Sequence, residues 1–268
     1  MTADPVLAGL AAAAAAAVGG FAVPRVIAWL PEPEPQADPE SAAGGDCEAD
    51  AAVPPVAGQA ASGDEPVAAV APPMPPKVPY AELAARPRLG LWCAAVAAVS
   101  AAVLGTSRGW VGDLPVWVFL SVLGVALGYV DWRTRLLPSR LVQPSYGVVA
   151  LLLLVAYAVE PDNGRLLGAA IGWVGLFAVF FALWFVYPRG LGYGDVRLSG
   201  LLGMALGWLG WQAVVVATYA SFLLGGVIGG VLALLKVVDR RGYPFGPFML
   251  VGVVLGVLAA DGNLAFWS

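Results

Sequence analysis

Apolar residues form long, nearly uninterrupted runs along most of this chain, and polar residues are gathered between the runs. The candidate membrane spans cover residues 6–30, 89–104, 114–130, 141–159, 166–187, 196–209, 212–238 and 245–260. Several are short, because a spanning helix needs about 20 apolar residues. The pattern predicts an all-α, polytopic transmembrane helical bundle with about eight spans.

The apolar stretch over residues 196–238 is too long for a single helix. It contains Trp208 and Trp211 with glycines beside them, and tryptophan is enriched where a membrane meets water. We therefore predict that one span ends near residue 209 and the next begins near residue 212.

Residues 31–88 have a different composition from the rest of the chain. They hold thirteen of the 22 prolines and ten of the 18 acidic residues, with almost no large apolar side chains. Such a segment cannot form a core, so we predict a disordered linker between span 1–30 and the membrane domain 89–268. A regulatory or docking role for the linker stays open, since Pro-rich segments can serve as ligands.

The overall composition excludes several classes of protein. Hydrophobic residues make up 60% and charged residues 12%, with a mean hydropathy of +0.81, whereas soluble domains are about 25% charged. The sequence contains no long basic stripe, so its charge pattern gives no indication of nucleic-acid binding. Histidine is absent, which excludes Ser-His-Asp, Cys-His and HExxH chemistry. Two cysteines, Cys47 and Cys93, form neither a disulfide framework nor a four-ligand zinc site.

The basic residues predict how the chain is threaded. The apolar N-terminal stretch has no basic segment before it, so we interpret it as a retained span rather than a signal peptide. With eight spans and an outward start, only Arg108 and Arg165 of the 14 Lys and Arg residues fall outside. The remaining twelve lie on the inner side, as the positive-inside rule requires, and the linker 31–88 is then cytoplasmic.

Two aspartates stand out because each adjoins a long apolar run. Asp131 ends the third run and Asp195 precedes the sixth. Two spans separate them, so both lie on the same membrane face and can meet. Two carboxylates that share one proton can perform aspartic proteolysis, in which one activates a water and the other protonates the scissile carbonyl. Gly192 and Gly194 would let the backbone approach an extended substrate closely.

Structural interpretations of the same residues stay open at this point. Asp195 could cap the sixth helix, and Asp131 could neutralise Arg133 or Arg135. A small proton- or cation-coupled transporter could use the same two aspartates, since ionisable groups within spans often mark transport pathways.

A serine enzyme is a further alternative, and the remaining acids need an interpretation too. Such an enzyme would pair Ser139 or Ser199 with Lys236, but no motif supports it. Four acidic residues without a motif are expected in solvated loops: Asp113, Glu160, Asp162 and Asp239.

Three segments resemble the type IV prepilin peptidases, also called bacterial leader peptidases. Residues 131–138 (DWRTRLLP) resemble the first-aspartate motif, residues 192–198 (GYGDVRL) resemble the G-x-G-D-x-K-L motif, and residues 244–248 (PFGPF) resemble the family's P-F-G-P turn. Ser139 stands where Asn is usual, and Arg197 stands where Lys is usual. We expect Arg197→Lys to be tolerated because it restores the family's residue.

The resemblance implies that residues 89–268 are a transmembrane aspartic peptidase domain in the plasma membrane of a bacterium. Its catalytic residues would be Asp131 and Asp195, with Gly192, Gly194, Arg197 and Pro138 in substrate-binding or supporting roles, and no metal or cofactor. Its substrates would be type IV prepilins or pseudopilins, cut on the cytoplasmic side between a short basic leader and an apolar helix. The oligomeric state and the pilin system served stay open.

The resemblance also bears on methylation. Full-length family members carry a cytoplasmic methyltransferase domain with two C-x-x-C pairs after the first span. Here residues 31–88 take the place of that domain, and Cys47 is their single cysteine. The resemblance therefore implies peptidase activity and puts N-methylation in doubt.

Overall fold

The computed structural model describes residues 4–31, 79–135, 137–187, 191–234 and 244–262. These residues form helices α1 (Pro5–Trp29), α2 (Tyr80–Ala84), α3 (Leu89–Arg108), α4 (Leu114–Thr134), α5 (Ser139–Val159), α6 (Asn163–Val186), α7 (Tyr193–Leu209), α8 (Trp211–Leu234) and α9 (Gly246–Ala260). No strand occurs within these ranges. The all-α prediction is confirmed.

Each predicted span corresponds to a helix, although the helices differ in length. Six of them, α1, α3, α4, α5, α6 and α8, are long and apolar enough to cross a membrane. The helices α7 and α9 have 17 and 15 residues and are shorter. The predicted turn is confirmed at Gly210, which has a φ of 117° between α7 and α8. Glycine adopts this conformation at little cost.

The helix α7 lies at the centre of the largest apolar core. Its residues Val196, Leu198, Leu201, Leu206 and Trp208 are at most 1% exposed. Helices α5, α6, α8 and α9 all pack against it. A helix surrounded in this way holds its first turn in a fixed position, and Asp195 lies in that turn.

Glycines bring α6 and α7 into direct backbone contact. A Cβ added at Gly203 would lie 2.3 Å from the carbonyl oxygen of Gly172, and one added at Gly207 would lie 2.3 Å from that of Gly168. Small residues at helix interfaces are a common way for membrane helices to approach closely. Any larger side chain at these positions would push the two helices apart.

Small residues also explain the Ala-rich N-terminal helix. Ala8, Ala12, Ala16 and Gly20 recur every four residues along α1 and are buried against α3. This spacing places them on one helix face. The first predicted span is therefore packed against the bundle along its length.

The predicted linker 31–88 includes a short helix at its end. In α2, Tyr80 and Leu83 are buried, and the hydroxyl of Tyr129 donates a hydrogen bond to the Leu83 carbonyl at 3.3 Å. The expectation that 31–88 lacks core-forming residues is wrong for this part, because the two apolar side chains pack beside Ile27 of α1. The prediction for residues 32–78 lies outside the described residues.

An ion-pair network closes the bundle at the end opposite the two aspartates. The guanidinium of Arg108, at the end of α3, pairs with Asp113 before α4 at 2.8 Å and with Asp261 after α9. Ser107 also donates to Asp261 at 2.7 Å. Asp113 is 2% exposed, so its expected place in a solvated loop is wrong: Arg108 supplies the charge that allows the carboxylate to be buried.

The other acids expected in solvated loops follow that expectation where the structure describes them. Glu160 and Asp162 have side chains that are 56% and 50% exposed, and both pair loosely with Arg165. Asp239 lies outside the described residues.

Candidate active site

Three chain segments reach the same end of the bundle. They are the last turn of α4, which contains Asp131, the first turn of α7, which contains Asp195, and the start of α9 at Gly246. Helices α5 and α6 lie between the first two segments in the chain, as the sequence predicted. The three segments resembling the peptidase motifs therefore meet at one place.

Asp131 is buried at the C-terminal end of α4 and bonded to the first residue of α9. Its side chain is 4% exposed, and its Oδ2 atom accepts a hydrogen bond from the backbone N–H of Gly246 at 3.0 Å. A Cβ at position 246 would lie 2.7 Å from that same oxygen. Only glycine therefore lets this backbone come so close to the carboxylate.

The structural alternative for Asp131 is not seen. It forms no ion pair with Arg133 or Arg135, both of which the structure describes. Arg133 instead lies over the ring of Tyr129, 5.9 Å from the ring centre. The carboxylate of Asp131 thus stays without a cationic partner among the described residues.

Asp195 is held by the backbone at the start of α7. Its Oδ2 atom accepts a hydrogen bond from the N–H of Gly192 at 3.2 Å, and Gly192 is the N-cap of the helix. Asp195 is therefore the third residue of the helix, whose carboxylate accepts from the N-cap N–H, rather than the N-cap itself. The residue is 7% exposed, yet its Oδ1 atom has no hydrogen-bond partner among the described residues.

A buried carboxylate oxygen without a partner is costly, and such atoms are rare in folded proteins. Capping accounts for Oδ2 of Asp195 but not for Oδ1. Asp131 is also buried and lies at the same end of the bundle. Two carboxylates that come close together can hold one proton as a pair, which is the arrangement that general acid–base catalysis needs.

The segment that follows Asp131 is fastened to the start of α7, where Asp195 lies. A Cβ added at Gly194 would lie 2.7 Å from the Cβ of Leu137, so the backbone of Gly194 packs directly against this side chain. A guanidinium N–H of Arg197 donates to the hydroxyl of Ser139 at 2.5 Å. Pro138 precedes that serine as the N-cap of α5. Both motif segments are thus held in one arrangement by direct contacts.

A second contact fixes the same part of α7. The hydroxyl of Tyr146, two turns along α5 from Ser139, donates to the backbone carbonyl of Arg197 at 2.5 Å. The Arg197 guanidinium also lies 4.7 Å from the centre of the Tyr193 ring. The side chain and the backbone of Arg197 are therefore both held by α5.

Sequence reasoning missed two of these contributors. Gly246 belongs to the quoted PFGPF segment, but nothing in the sequence showed that its N–H would meet Asp131. Tyr146 belongs to no motif and gave no signal. The serine alternative gains nothing here: Ser199 is buried and bonded to Val196 and Leu176 carbonyls, and Lys236 lies outside the described residues.

Metal ligation is not apparent in the part of the chain that the structure describes. No group of three or more His, Cys, Asp or Glu side chains comes together there. The candidate site accordingly consists of two aspartates, the backbone N–H groups that hold them, and the contacts between their loops.

A helical bundle of apolar spans, with two buried carboxylates at one end, defines a polytopic membrane protein. The family model described as "Type IV leader peptidase family" matches residues 117–233. This match includes both aspartates. It ends before Gly246.

Three curated relatives extend the similarity. The leader peptidase HopD of Escherichia coli is 35% identical over 149 residues, which are 53% of this chain and 92% of that protein. Two proteins named prepilin leader peptidase/N-methyltransferase also match. The one from Xanthomonas campestris pv. campestris is 29% identical over 53% of this chain and 48% of its own length, and the one from E. coli K12 is 33% identical over 50% and 60%.

The chain belongs to the type IV leader peptidase family. The aligned part spans about half the length of the Xanthomonas relative but nearly all of HopD. No solved structure gives a match.

Proposed function

We propose that this protein is an aspartic endopeptidase that uses Asp131 and Asp195 to remove leader peptides from type IV prepilins or pseudopilins. The observation that carries the proposal is that two buried carboxylates from distant segments lie at the same end of the bundle, and one of them keeps an oxygen without a partner among the described residues. Family membership supports the same activity.

The proposed reaction needs one proton on the pair. The ionised carboxylate takes a proton from a water molecule, and the water oxygen bonds to the scissile carbonyl carbon while the protonated carboxyl donates to the carbonyl oxygen. When the C–N bond breaks, the protonated carboxyl gives its proton to the leaving amine while the ionised carboxylate takes one from a hydroxyl of the tetrahedral intermediate, so the pair again holds one proton. The N–H groups of Gly246 and Gly192 hold the two carboxylates in place during this exchange.

The active site is proposed to face the cytoplasm. The end of the bundle that carries Asp131 and Asp195 also carries Arg86, Arg133 and Arg135, and the positive-inside rule puts such residues inside. After Cys93 is replaced, Cys47 should be unreactive toward an impermeant thiol reagent in intact cells. Labelling of Cys47 under those conditions would overturn this threading.

Cleavage without methylation is the second part of the proposal. The segment between the first two spans contains only Cys47, whereas the family's methyltransferase domain carries two C-x-x-C pairs. Purified protein given a prepilin and a methyl donor should therefore release mature pilin with an unmethylated N-terminus. A mass increase of one methyl group with these components alone would refute this part.

Incubation of the purified protein with a purified prepilin tests the activity itself. Mass spectrometry of the products should show a mature pilin cut between the basic leader and the apolar helix. Two results together would favour the transporter alternative. The prepilin would stay intact after incubation with the folded protein, and proteoliposomes that contain the protein would take up protons.

A further inference from the structure

A lateral groove between α3, α4 and α9 is separate from the paired aspartates. It has a volume of about 630 Å³, and its walls are mostly apolar, with contributions from Trp92, Val96, Leu120, Val125, Leu250 and Val251. Val96 and Val251 line the groove and are still 53% and 49% exposed. The groove, called here the α3–α4–α9 groove, therefore opens on the lipid-facing side of the bundle.

Two arginines lie at one end of this groove. Arg86 precedes α3, and Arg133 lies in the last turn of α4. Both are exposed, and neither forms an ion pair with another described residue. The groove thus combines a charged mouth at the membrane surface with an apolar interior.

The interior needs no polar group from an occupant. Ser121 donates to the carbonyl of Trp117 at 2.8 Å, and its oxygen lies 3.2 Å from the hydroxyl of Ser100. The two serines in the wall therefore satisfy one another. From Arg133 to Leu120 the groove follows α4 for about 20 Å at 1.5 Å per residue, which is somewhat more than the half-thickness of a bilayer core.

We propose that the α3–α4–α9 groove binds an anionic phospholipid of the cytoplasmic leaflet. Its phosphate lies between Arg86 and Arg133, and one acyl chain lies along the apolar walls. Basic pockets between membrane helices on the cytoplasmic side suit such headgroups. A guanidinium also offers paired donors to a phosphate.

Charge decides between a lipid and the other plausible occupant, the apolar helix of a substrate. Under the proposed function the substrate carries a basic leader next to that helix. Such a leader would bring positive charge to two unpaired arginines, and like charges repel. The lipid proposal uses the cytoplasmic orientation proposed above, but it does not depend on peptidase activity.

The test measures lipid binding to the full chain, purified in detergent and stripped of lipid. Native mass spectrometry should show tighter binding of dioleoyl phosphatidylglycerol than of dioleoyl phosphatidylcholine. The double variant Arg86→Gln/Arg133→Gln should weaken phosphatidylglycerol binding about 30-fold, because an arginine near the membrane surface contributes about 1 kcal/mol. The control Arg25→Gln/Arg140→Gln removes two exposed arginines that do not line the groove, and it should bind like the wild type.

A second variant tests the apolar part of the groove. Val96→Trp fills it from the lipid-facing side, so it should weaken the binding of both lipids while the arginines remain. Equal binding of the two lipids by the wild type, or equal losses in the two double variants, would overturn the proposal. So would loss of prepilin cleavage in Val96→Trp with lipid binding unchanged, since that result would identify a substrate groove. Prepilin cleavage in the same preparations shows separately whether the proposed function holds.

Discussion

Arg197→Lys keeps the positive charge two residues after Asp195 but removes the planar guanidinium that reaches Ser139. In the structure this contact joins the start of α5, which follows the helix of Asp131, to the N-terminal part of α7, which carries Asp195. The structure changes the expectation from the family pattern, which was that Arg197→Lys would be tolerated. Lysine is shorter and lacks the forked donors of arginine. We therefore expect the variant to lose the hydrogen bond to the hydroxyl of Ser139.

The magnitude follows from the contact. A hydrogen bond from a charged group contributes about 1.5–3 kcal/mol, and Arg197 is only half-buried, so the lower end applies. A loss of about 1.4 kcal/mol in the positioning of Asp195 corresponds to a tenfold fall in kcat/KM. The hydroxyl of Tyr146 still holds the α7 backbone, so the fold and the membrane expression should stay normal.

The double variant Ser139→Asn/Arg197→Lys makes the prediction specific. Asparagine places its acceptor oxygen one carbon further from the backbone than serine does, which compensates for the shorter lysine. We expect each single variant to be impaired and the double variant to recover most of the cleavage rate, with a coupling of about 1 kcal/mol or more. Arg140→Lys is the matched control, because Arg140 is an exposed residue beside Ser139 on α5. Strictly additive losses in cleavage assays would refute a positioning role for this contact.

Other predictions follow from single contacts. Gly246→Ala places a Cβ 2.7 Å from the carboxylate oxygen that its N–H now contacts, so cleavage should fall about 100-fold, whereas Gly147→Ala, in open space on α5, should be neutral. Asp113→Asn should lower the stability by about 1–3 kcal/mol without changing the cleavage site, because Asp113 is buried and its negative charge pairs with the partly buried Arg108; an unchanged melting temperature would contradict this. Deletion of residues 40–70 should leave prepilin processing largely intact, since long flexible loops close at small entropic cost; loss of cleavage at normal expression would show that the segment binds substrate or partner.

The sequence predicts the helices and also predicts that the two aspartates lie on the same side of the membrane. The first prediction depends on local apolar runs, and the second depends only on the number of spans between the aspartates. Apolar runs mark helices, and two intervening spans place Asp131 and Asp195 on one side. The contacts that fasten the site depend instead on packing between distant segments. Gly246 meets Asp131 across 115 residues, and Arg197 meets Ser139 across 58.

The buried network at the opposite end shows the same limit. Asp113 looks like a loop acid in the sequence because it lies between two apolar runs, near Gly112 and Pro115. It is buried only because Arg108 reaches it from α3 while also binding Asp261 after α9. No local pattern encodes a meeting of three helix ends.

The central claim, that Asp131 and Asp195 form one catalytic pair, is tested most directly by prepilin cleavage with Asp131→Asn and Asp195→Asn. Asparagine keeps the shape and an acceptor oxygen for Gly246 or Gly192, but it cannot exchange the proton that the pair shares. Each variant should express, insert and melt like the wild type while losing cleavage completely, and Glu160→Gln should cleave normally. Near wild-type cleavage by either variant would contradict the two-carboxylate mechanism.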